Sequence, residues 1–261
     1  MTFDLEQVRT AIAAAPLPPK PPVMLGMAPA AAPVLTGGTP QALVVGSDVV
    51  SFATAIAGEH RQAIADSMLL AQFMANAKVP GEGDPVGWFD TYVGALGSFG
   101  WRTLANDGTT YAFEGKGLEV HKAILEVVGV LLTGAPIAIK LVETTLKALG
   151  TMSKDSPLIT LFNRETQHAR AGRFQVATVR HEADGTAVVE IMAFALTANK
   201  TVTQILFFKL HADESSLQSR RGTLALDDAT MRDIAPLLRA RVIAYRAAFI
   251  SAIPLPPLPA V

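Results

Sequence analysis

The side chains that could bind a metal ion are spread thinly along the sequence. The chain has five histidines and no cysteine, which excludes thiolate nucleophiles, iron–sulfur clusters and cysteine-based zinc sites. Glu165 and His168 have the Glu-x-x-His spacing that puts two ligands on one helix face in di-iron bundles. Such a centre needs a second pair of the same kind, and the sequence has none. We therefore predict no metal ligand.

Other residues of chemical interest lack the neighbours that their chemistry requires. Ser47 is followed by Asp48, but adjacent residues on a strand point to opposite faces, and no G-x-S-x-G elbow is present. Gly94, Gly97 and Gly100 lie within a predicted helix, whereas a dinucleotide loop places its glycines directly after a strand. We predict no catalytic or cofactor-binding residue and no cofactor. An enzymatic function is left open but disfavoured.

Four arginines near the C-terminus form a candidate interaction surface. Arg232, Arg239 and Arg246 recur at a spacing of seven, and Arg241 lies between them. If the helix continues past Pro236, they form a basic stripe that could bind a carboxylate-rich partner, an anionic lipid or a phosphate. A solvated helix face explains the same pattern. A formal net charge of −1 argues against nucleic acid as a partner.

An aromatic helix supplies the second candidate site. Asp84 and Pro85 have the residue types of an N-cap and a first helical position, and an aromatic and aliphatic stripe follows them. Trp88 and Tyr92 in this helix, together with Trp101 just after it, are candidate lining residues of an apolar ligand pocket against a sheet. An enzyme or carrier could use such a pocket.

The elements that must position these residues indicate an α+β fold. Helical spacing extends over residues 59–77, and the β-rich segment 42–53 reads as one strand or as a bent pair about Gly46. Residues 101–113 alternate around Asn106-Asp107-Gly108, which predicts a small β-hairpin. The N-terminal part is therefore mostly helical.

The second half of the chain changes to the period of strands. Residues 173–180, 186–196 and 201–211 predict a three-stranded antiparallel meander. Residues 220–226 predict a fourth strand. A long helix from Asp228 to Ile250 follows, in which Pro236 either kinks the helix or marks a second start.

Proline-rich arms occur at both ends of the chain. Residues 1–40 contain a short helix and a Pro/Ala-rich arm, and residues 253–261 form a second arm. We expect both to be extended. Residues 41–252 then form one globular domain, with a boundary near 151–155 as the alternative division. Both arms are apolar, which is unusual for tails and favours packing on the same subunit, on another copy or on a partner.

Residues 124–142, ILEVVGVLLTGAPIAIKLV, are the most hydrophobic stretch. A spanning helix needs about 20 apolar residues without interruption, and Gly134-Ala135-Pro136 interrupts this one. We predict two amphipathic helices, from about Leu118 to Thr133 and from about Pro136 to Leu149, each too short to span a bilayer. The open question is whether this pair ever leaves the core.

Three functions remain, and they come from different classes. Charged residues make up only 17% of the chain, against roughly 25% in ordinary globular proteins, so part of the surface is expected to be covered. The first hypothesis is a soluble, non-enzymatic interaction or self-assembly protein that forms a homo-oligomer or binds a protein through its arms. The second is a conditionally membrane-inserting, pore-forming protein that uses the 118–149 helical pair. The third is an enzyme or carrier with an apolar pocket.

The N-terminus indicates a default location. It has two acids in its first six residues and no basic region before an apolar core. We therefore expect the cytoplasm, with signal-independent export as the alternative.

Overall fold

The computed structural model describes most of the chain, with gaps at some loops and at both ends. The described ranges are 4–21, 33–53, 56–80, 84–107, 118–132, 136–153, 155–168, 171–199, 201–202, 205–210 and 215–256. The parts that lie outside the described residues therefore include residues 22–32 of the N-terminal arm, the second half of the predicted hairpin and the last five residues.

The described residues form seven helices and ten strands, and the α+β class is confirmed. The helices are α1 (Leu5–Ala14), α2 (Gly58–Lys78), α3 (Pro85–Ser98), α4 (Val120–Leu131), α5 (Pro136–Thr151), α6 (Pro157–Thr166) and α7 (Asp228–Phe249). The strands are β1 (Gln41–Val45), β2 (Asp48–Phe52), β3 (Arg102–Asp107), β4 (Leu118–Glu119), β5 (Gln167–His168), β6 (Ala171–His181), β7 (Ala187–Ala198), β8 (Lys209–Leu210), β9 (Ser215–Leu226) and β10 (Ile250–Ile253).

One large sheet forms the middle of the molecule. Its strand order is β10-β1-β2-β6-β7-β9-β3, with β5 paired to β6. The pairs are antiparallel except β2 with β6. A separate two-stranded ribbon joins β4 to β8.

Helices cover both faces of this sheet and create two cores. Alternate strand residues point to opposite faces, so Leu43 and Val45 belong to one core and Ala42 and Val44 to the other. Helices α1, α2, α3 and α7 pack on the first face and are called the first layer below. Helices α4, α5 and α6 pack on the opposite face and are called the second layer.

The predicted meander is correct for two strands and wrong for the third. Strands β6 and β7 pair as expected, but the next strand is β9, which begins at Ser215 and includes the predicted fourth strand. Residues 201–211 were expected to alternate as a strand. Instead a short 3-10 turn, Ile205–Phe207, buries Ile205 and Leu206 in the second core, and among the described residues of this segment β8 alone forms a strand. Burial of adjacent apolar residues overrides the period of two here.

The two short hairpin predictions have different outcomes. Residues 42–53 form a bent pair, β1 and β2, and Gly46 takes a left-handed φ of 56° between them. Strand β3 is present in the 101–113 segment, but its observed partner is β9. Pairing with the long strand β9 satisfies the backbone groups of β3 at the sheet edge.

The helical predictions around the hydrophobic stretch are confirmed. Residues 124–142 are divided between α4 and α5 near the predicted interruption. At the C-terminus, α7 runs as one helix with Pro236 inside it and exposed, so Pro236 does not mark a second start. The chain turns into β10 at Ile250.

Candidate functional site

Arg61 anchors α2 of the first layer to the edge of the sheet. Its guanidinium is buried and donates to backbone oxygens of Ile56 at 2.9 Å, Thr39 at 2.8 Å and Ala53 at 2.9 Å. Burial lowers the pKa of Arg61 from its usual value. A buried cation with several acceptors fixes the position of the helix start, because moving α2 would leave the charge without partners.

Gln72 ties the middle of α2 to the β1–β2 turn. Its Nε2 donates to Val45 O at 2.8 Å, and its Oε1 accepts from the backbone N–H of Ser47 at 2.9 Å. A side chain at Gly46 would collide with Gln72 Oε1, which explains why the turn needs glycine there. Ser47 Oγ also donates to Gln175 Oε1 on β6 at 2.8 Å. Ser47 therefore has a structural role.

Tyr92 connects α3 to a fully buried carboxyl group. The Tyr92 hydroxyl donates to Asp48 Oδ2 at 2.7 Å, and both residues are 0% exposed. Burial raises the pKa of Asp48 to about 7, against the opposing effect of the Tyr92 hydrogen bond. Burial and the nearby Asp48 carboxylate also raise the pKa of the Tyr92 hydroxyl. Separating α3 from the sheet would leave both polar groups without these partners.

A buried ion pair joins α2 to α7. Arg246 Nε lies 3.3 Å from Asp66 Oδ1, with side chains only 7% and 0% exposed. Gln62 completes the group, because it donates to Asp66 Oδ1 at 3.0 Å and accepts from Arg246. Burial raises the pKa of Asp66 to about 6 although the Arg246 charge opposes this. The helices of the first layer are thus joined to one another and to the sheet by buried polar groups.

The α4–α5 pair of the second layer meets the sheet through apolar side chains. The buried members from α4 and α5 are Val120, Ala123, Ile124, Val127, Val128, Leu141, Val142, Leu146 and Leu149. Charged residues of the pair bind within their own segments: Lys140 and Lys147 lie 3.3 and 2.5 Å from Glu143, and Lys122 lies 3.3 Å from Glu119. These helices are therefore amphipathic, with their apolar faces inward.

One side-chain hydrogen bond joins the described residues of this pair to the large sheet. Ser51 Oγ on β2 lies 3.3 Å from Thr145 Oγ1 on α5. Thr145 Oγ1 also donates to Leu141 O in its own helix at 2.8 Å. If α5 moved away, Thr145 would keep a hydrogen-bond partner. Departure of the pair would therefore expose apolar surface and leave few polar groups unpaired.

The ribbon β4–β8 and the adjoining turn hold the beginning of α4. The backbone N–H of Val120 donates to Phe208 O at 2.9 Å, and His121 Nδ1 lies 3.2 Å from Leu206 O. These contacts join α4 to the segment between β7 and β9, and neither of them involves a strand of the large sheet. The ribbon is a local attachment at the start of the pair.

The four arginines of the candidate interaction surface are not brought together on one exposed face. Arg232 and Arg239 are exposed, and Arg232 pairs with Asp228 at 3.0 Å. Arg241 donates to Ala15 O at 2.5 Å, where the N-terminal arm begins. Arg246 is buried with Asp66, as described above. Two of the four therefore have internal structural partners.

The three aromatic residues of the candidate pocket are all buried. Trp88 and Tyr92 stack with ring centroids 5.2 Å apart, and the Arg173 guanidinium lies 3.9 Å from the Trp88 centroid. Trp101 is 4% exposed. A cavity of about 170 Å³ does exist beside α3, but none of these three rings lines it.

The Glu165–His168 pair does not share a helix face. Helix α6 ends at Thr166, so His168 belongs to β5, and Glu165 pairs with Arg164 at 2.6 Å. Within the described ranges, no group of three or more His, Asp or Glu residues could hold a metal ion.

Sequence reasoning missed the buried polar residues of the first layer. Asp48 was considered only beside Ser47, and Arg61, Asp66 and Gln72 were not singled out. The available signal was the presence of Arg61, Asp66 and Gln72 inside a helix that was already read as largely buried, since such groups need partners when buried.

Comparisons with known proteins give distant structural similarity only. No protein-family model matches the sequence, and no curated protein matches it. Among solved structures, a delta-endotoxin shares 14% identity over 82% of this chain and 91% of its own, with a TM-score of 0.41. The activated Cyt2Ba monomer from Bacillus thuringiensis subsp. israelensis shares 14% identity over 64% and 93%, with a TM-score of 0.33. The Evf virulence factor shares 12% identity over 79% and 84%, with a TM-score of 0.32.

Across the described residues, no helix is both long and apolar enough to cross a bilayer.

Proposed function

We propose that this protein inserts conditionally into lipid membranes, and that the α4–α5 pair is the inserting element. The observation that carries the proposal is the contrast between the layers. One hydrogen bond between described side chains joins the pair to the large sheet, whereas a buried ion pair and several buried hydrogen bonds join helices of the first layer to the sheet and to one another. Apolar side chains can exchange contact with the sheet for contact with acyl chains at little cost. Buried polar groups cannot, because acyl chains offer no hydrogen bonds.

The lengths of the helices indicate how they meet a membrane. Helix α4 has 12 residues and α5 has 16, so at about 1.5 Å per residue they measure about 18 and 24 Å. The hydrocarbon core is about 30 Å thick. The pair therefore lies in the plane of the interface, with its apolar faces toward the acyl chains and its lysines and glutamates toward water.

The charge of the pair indicates which lipids it requires. Residues 118–149 contain three lysines and three glutamates, so the segment has no net charge to attract anionic headgroups. Binding is then driven by burial of apolar area, and we expect vesicle association to depend weakly on salt.

A reversible staple tests the proposal. The chain has no cysteine, so Ser51→Cys combined with Thr145→Cys introduces one defined pair where the two hydroxyl oxygens lie 3.3 Å apart. When oxidised, this variant should bind vesicles weakly and release no encapsulated dye, because α5 cannot leave β2 and its apolar face stays covered. Reduction should restore release to the level of the unmodified protein.

A second staple is the matched control. Thr197 and Ser216 are paired on β7 and β9 with their hydroxyl oxygens 2.6 Å apart, so Thr197→Cys with Ser216→Cys links strands without holding the pair. Its dye release should be the same when oxidised or reduced. Undiminished release from the oxidised Ser51–Thr145 staple, or no release by the unmodified protein between pH 4 and 8, would contradict the proposal.

Self-assembly through the arms stays a prediction that one surface residue makes testable. The beginning of the N-terminal arm lies on its own subunit, where Tyr245 donates to Pro18 O at 2.8 Å. Val34, at the far end of the arm, is 80% exposed, so its side chain is accessible to a second copy. If the arm forms an interface, Val34→Asp should lower the mass measured by light scattering. An unchanged mass would remove the arm from the interface.

A further inference from the structure

The cavity beside α3 has a regular polar frame on the sheet. Strand pairing sets Gln175, Ala193 and Arg220 side by side across β6, β7 and β9. The neighbouring row on the same face contains Arg173, Ala195 and Gln218. Each row therefore has a small alanine between two long polar side chains. The short alanine side chains leave space above the sheet, and two arginines and two glutamines surround that space.

The residues of this frame have hydrogen-bond donors that lack acceptors. Arg173 Nε, Gln175 Nε2 and Arg220 Nε are buried and have no partner among the described residues. Gln175 is fully buried, and its side-chain amide lies 2.8 Å from Ser47 Oγ, so one end of the amide is held by Ser47 and the rest of it faces the cavity. Buried N–H groups without acceptors are rare in proteins. These three donor side chains line one cavity, so a single acceptor bound there could contact all of them.

Carboxylates neutralise the two arginines of the cavity only in part. Arg220 lies 3.2 Å from Asp90, whose side chain is half exposed. Arg173 donates to Asn76 Oδ1 at 3.1 Å and stacks on Trp88, and the carboxyl group that acts on it electrostatically is Asp48. Burial lowers the pKa of Arg173 to about 10, which still leaves it charged at neutral pH. Asp48 has its pKa raised to about 7, so at neutral pH it neutralises Arg173 only in part.

The other wall of the cavity is apolar. Pro85, Val86 and Phe89 at the beginning of α3 face the polar frame, and the volume is about 170 Å³. This space is larger than an inorganic phosphate group needs, and its apolar side could contact an organic substituent.

We propose that this cavity binds a phosphate group, as a phosphate monoester, through Arg173, Gln175 and Arg220. Arginine forks match phosphate oxygens in geometry and charge, and a tetrahedral phosphate can accept from the three side chains at once. Small rotations of these side chains turn the unpaired N–H groups toward the ligand. The organic part of the ester then lies against Pro85, Val86 and Phe89.

Calorimetric titration with inorganic phosphate at pH 7.5 tests the site without a membrane. Arg173→Gln should weaken binding at least about tenfold, because a charge-assisted contact is lost. Asp90→Asn should tighten binding several-fold, because it removes the carboxylate that competes for Arg220. Arg232→Gln is the matched control, since Arg232 pairs with Asp228 as Arg220 pairs with Asp90, and it should leave phosphate binding unchanged.

A cavity-filling variant distinguishes loss of the binding site from loss of folding. Ala195→Leu keeps both arginines and fills the space above the sheet, so it should abolish phosphate binding while the circular dichroism spectrum stays native. No phosphate binding at 10 mM by the unmodified protein would overturn the proposal, as would equal weakening by Arg232→Gln. Equal affinity for sulfate would overturn the assignment to phosphate.

Vesicles distinguish the two sources of a phosphate monoester. If the source is a lipid headgroup, phosphatidylcholine vesicles with added phosphatidate should bind more protein than phosphatidylcholine alone, and Arg173→Gln should remove the difference. Phosphate binding in solution without this difference assigns a soluble phosphate ester. Because the titration contains no lipid and the staple on α5 leaves the cavity intact, failure of this site and failure of membrane insertion give separate results.

Discussion

The first and second helical layers cover the same sheet, but different contacts hold them there. In the first layer, α2, α3 and α7 each place at least one buried polar group against the sheet or a neighbouring helix: Gln72, Tyr92 and Arg246. In the second layer, one side-chain hydrogen bond between described residues joins the α4–α5 pair to the sheet, from Ser51 to Thr145. Both layers bury continuous apolar cores.

The difference shows that burying the apolar face of a helix and fixing the position of that helix are separate properties. Apolar contact stabilises a layer in water by roughly 25 cal/mol per Å² of buried apolar surface, but it does not specify what the layer must contact. Hydrogen bonds and ion pairs add direction, because a buried polar group that loses its partner keeps its full desolvation cost. Helices α2, α3 and α7 therefore depend on specific polar partners, whereas the α4–α5 pair can pack against another apolar surface.

The largest expected effect comes from the buried ion pair of the first layer. Arg246→Ala leaves Asp66 buried without its cation, which costs about 3–5 kcal/mol. Urea unfolding at pH 8 measures this, because Asp66, with a pKa of about 6, is ionised there. The control is Arg232→Ala, whose side chain is 66% exposed and whose pair with Asp228 should contribute less than about 1 kcal/mol. Similar losses in the two variants would mean that the buried pair does not fix α7.

A smaller effect compares one polar contact in each layer. Gln72→Leu leaves Val45 O and the Ser47 N–H unpaired, at about 1–3 kcal/mol for each buried group. Thr145→Val keeps the shape of α5 and leaves one buried hydroxyl, that of Ser51, without its partner, so we expect a loss at the lower end of this range, about 1 kcal/mol. The free energy of unfolding in urea gives both values. If Thr145→Val proved as costly as Gln72→Leu, the layers would not differ in attachment.

The third effect is a pH dependence of the first layer. Asp48 keeps its proton up to a pH of about 7 when folded, whereas its ordinary pKa is 3.8. Between these values the folded chain binds more protons than the unfolded chain, so this group makes the free energy of unfolding rise as the pH falls. From pH 7.5 to 5.5 the gain is about 1–2 kcal/mol. Asp48→Asn should lack it.

This dependence is measured as the difference between the unmodified protein and Asp48→Asn in urea unfolding at the two pH values. The expected sign means that mild acid strengthens the attachment of α3 at Asp48. If the unmodified protein instead lost stability relative to Asp48→Asn on acidification, Asp48 would be ionised in the folded state. The first layer would then contain a buried negative charge at its centre.

The elements that the sequence predicted well share a local cause. Helix α3 begins at Pro85 because Asp84 accepts from Gly87 N at 2.8 Å, and both residue types are visible in the sequence. The division of residues 124–142 into α4 and α5 likewise follows from local residue types, since Gly and Pro end and begin helices. Such signals extend over a few residues and need no knowledge of distant partners.

The wrong predictions concern segments whose structure depends on a partner that is distant in the sequence. Residues 201–211 alternate only in part, and contact of Ile205 and Leu206 with the second core selects a turn. Strand β3 pairs with β9, which is more than 100 residues away in sequence. The arginines of α7 follow a regular spacing, but α2 and the arm determine that Arg246 is buried and Arg241 is bonded to Ala15.

The sequence by itself determined the α+β class, the positions of most helices and the absence of cysteine chemistry. Local propensities, caps and periodicities are sufficient for these. Only the tertiary structure decided that helices cover both faces of the sheet, and that the polar residues of α2 and α3 meet Asp48, Ser47 and Arg246. Those meetings depend on long-range packing, because a buried polar group is stable only where a partner from another element reaches it. The unequal attachment of the two layers follows from that packing.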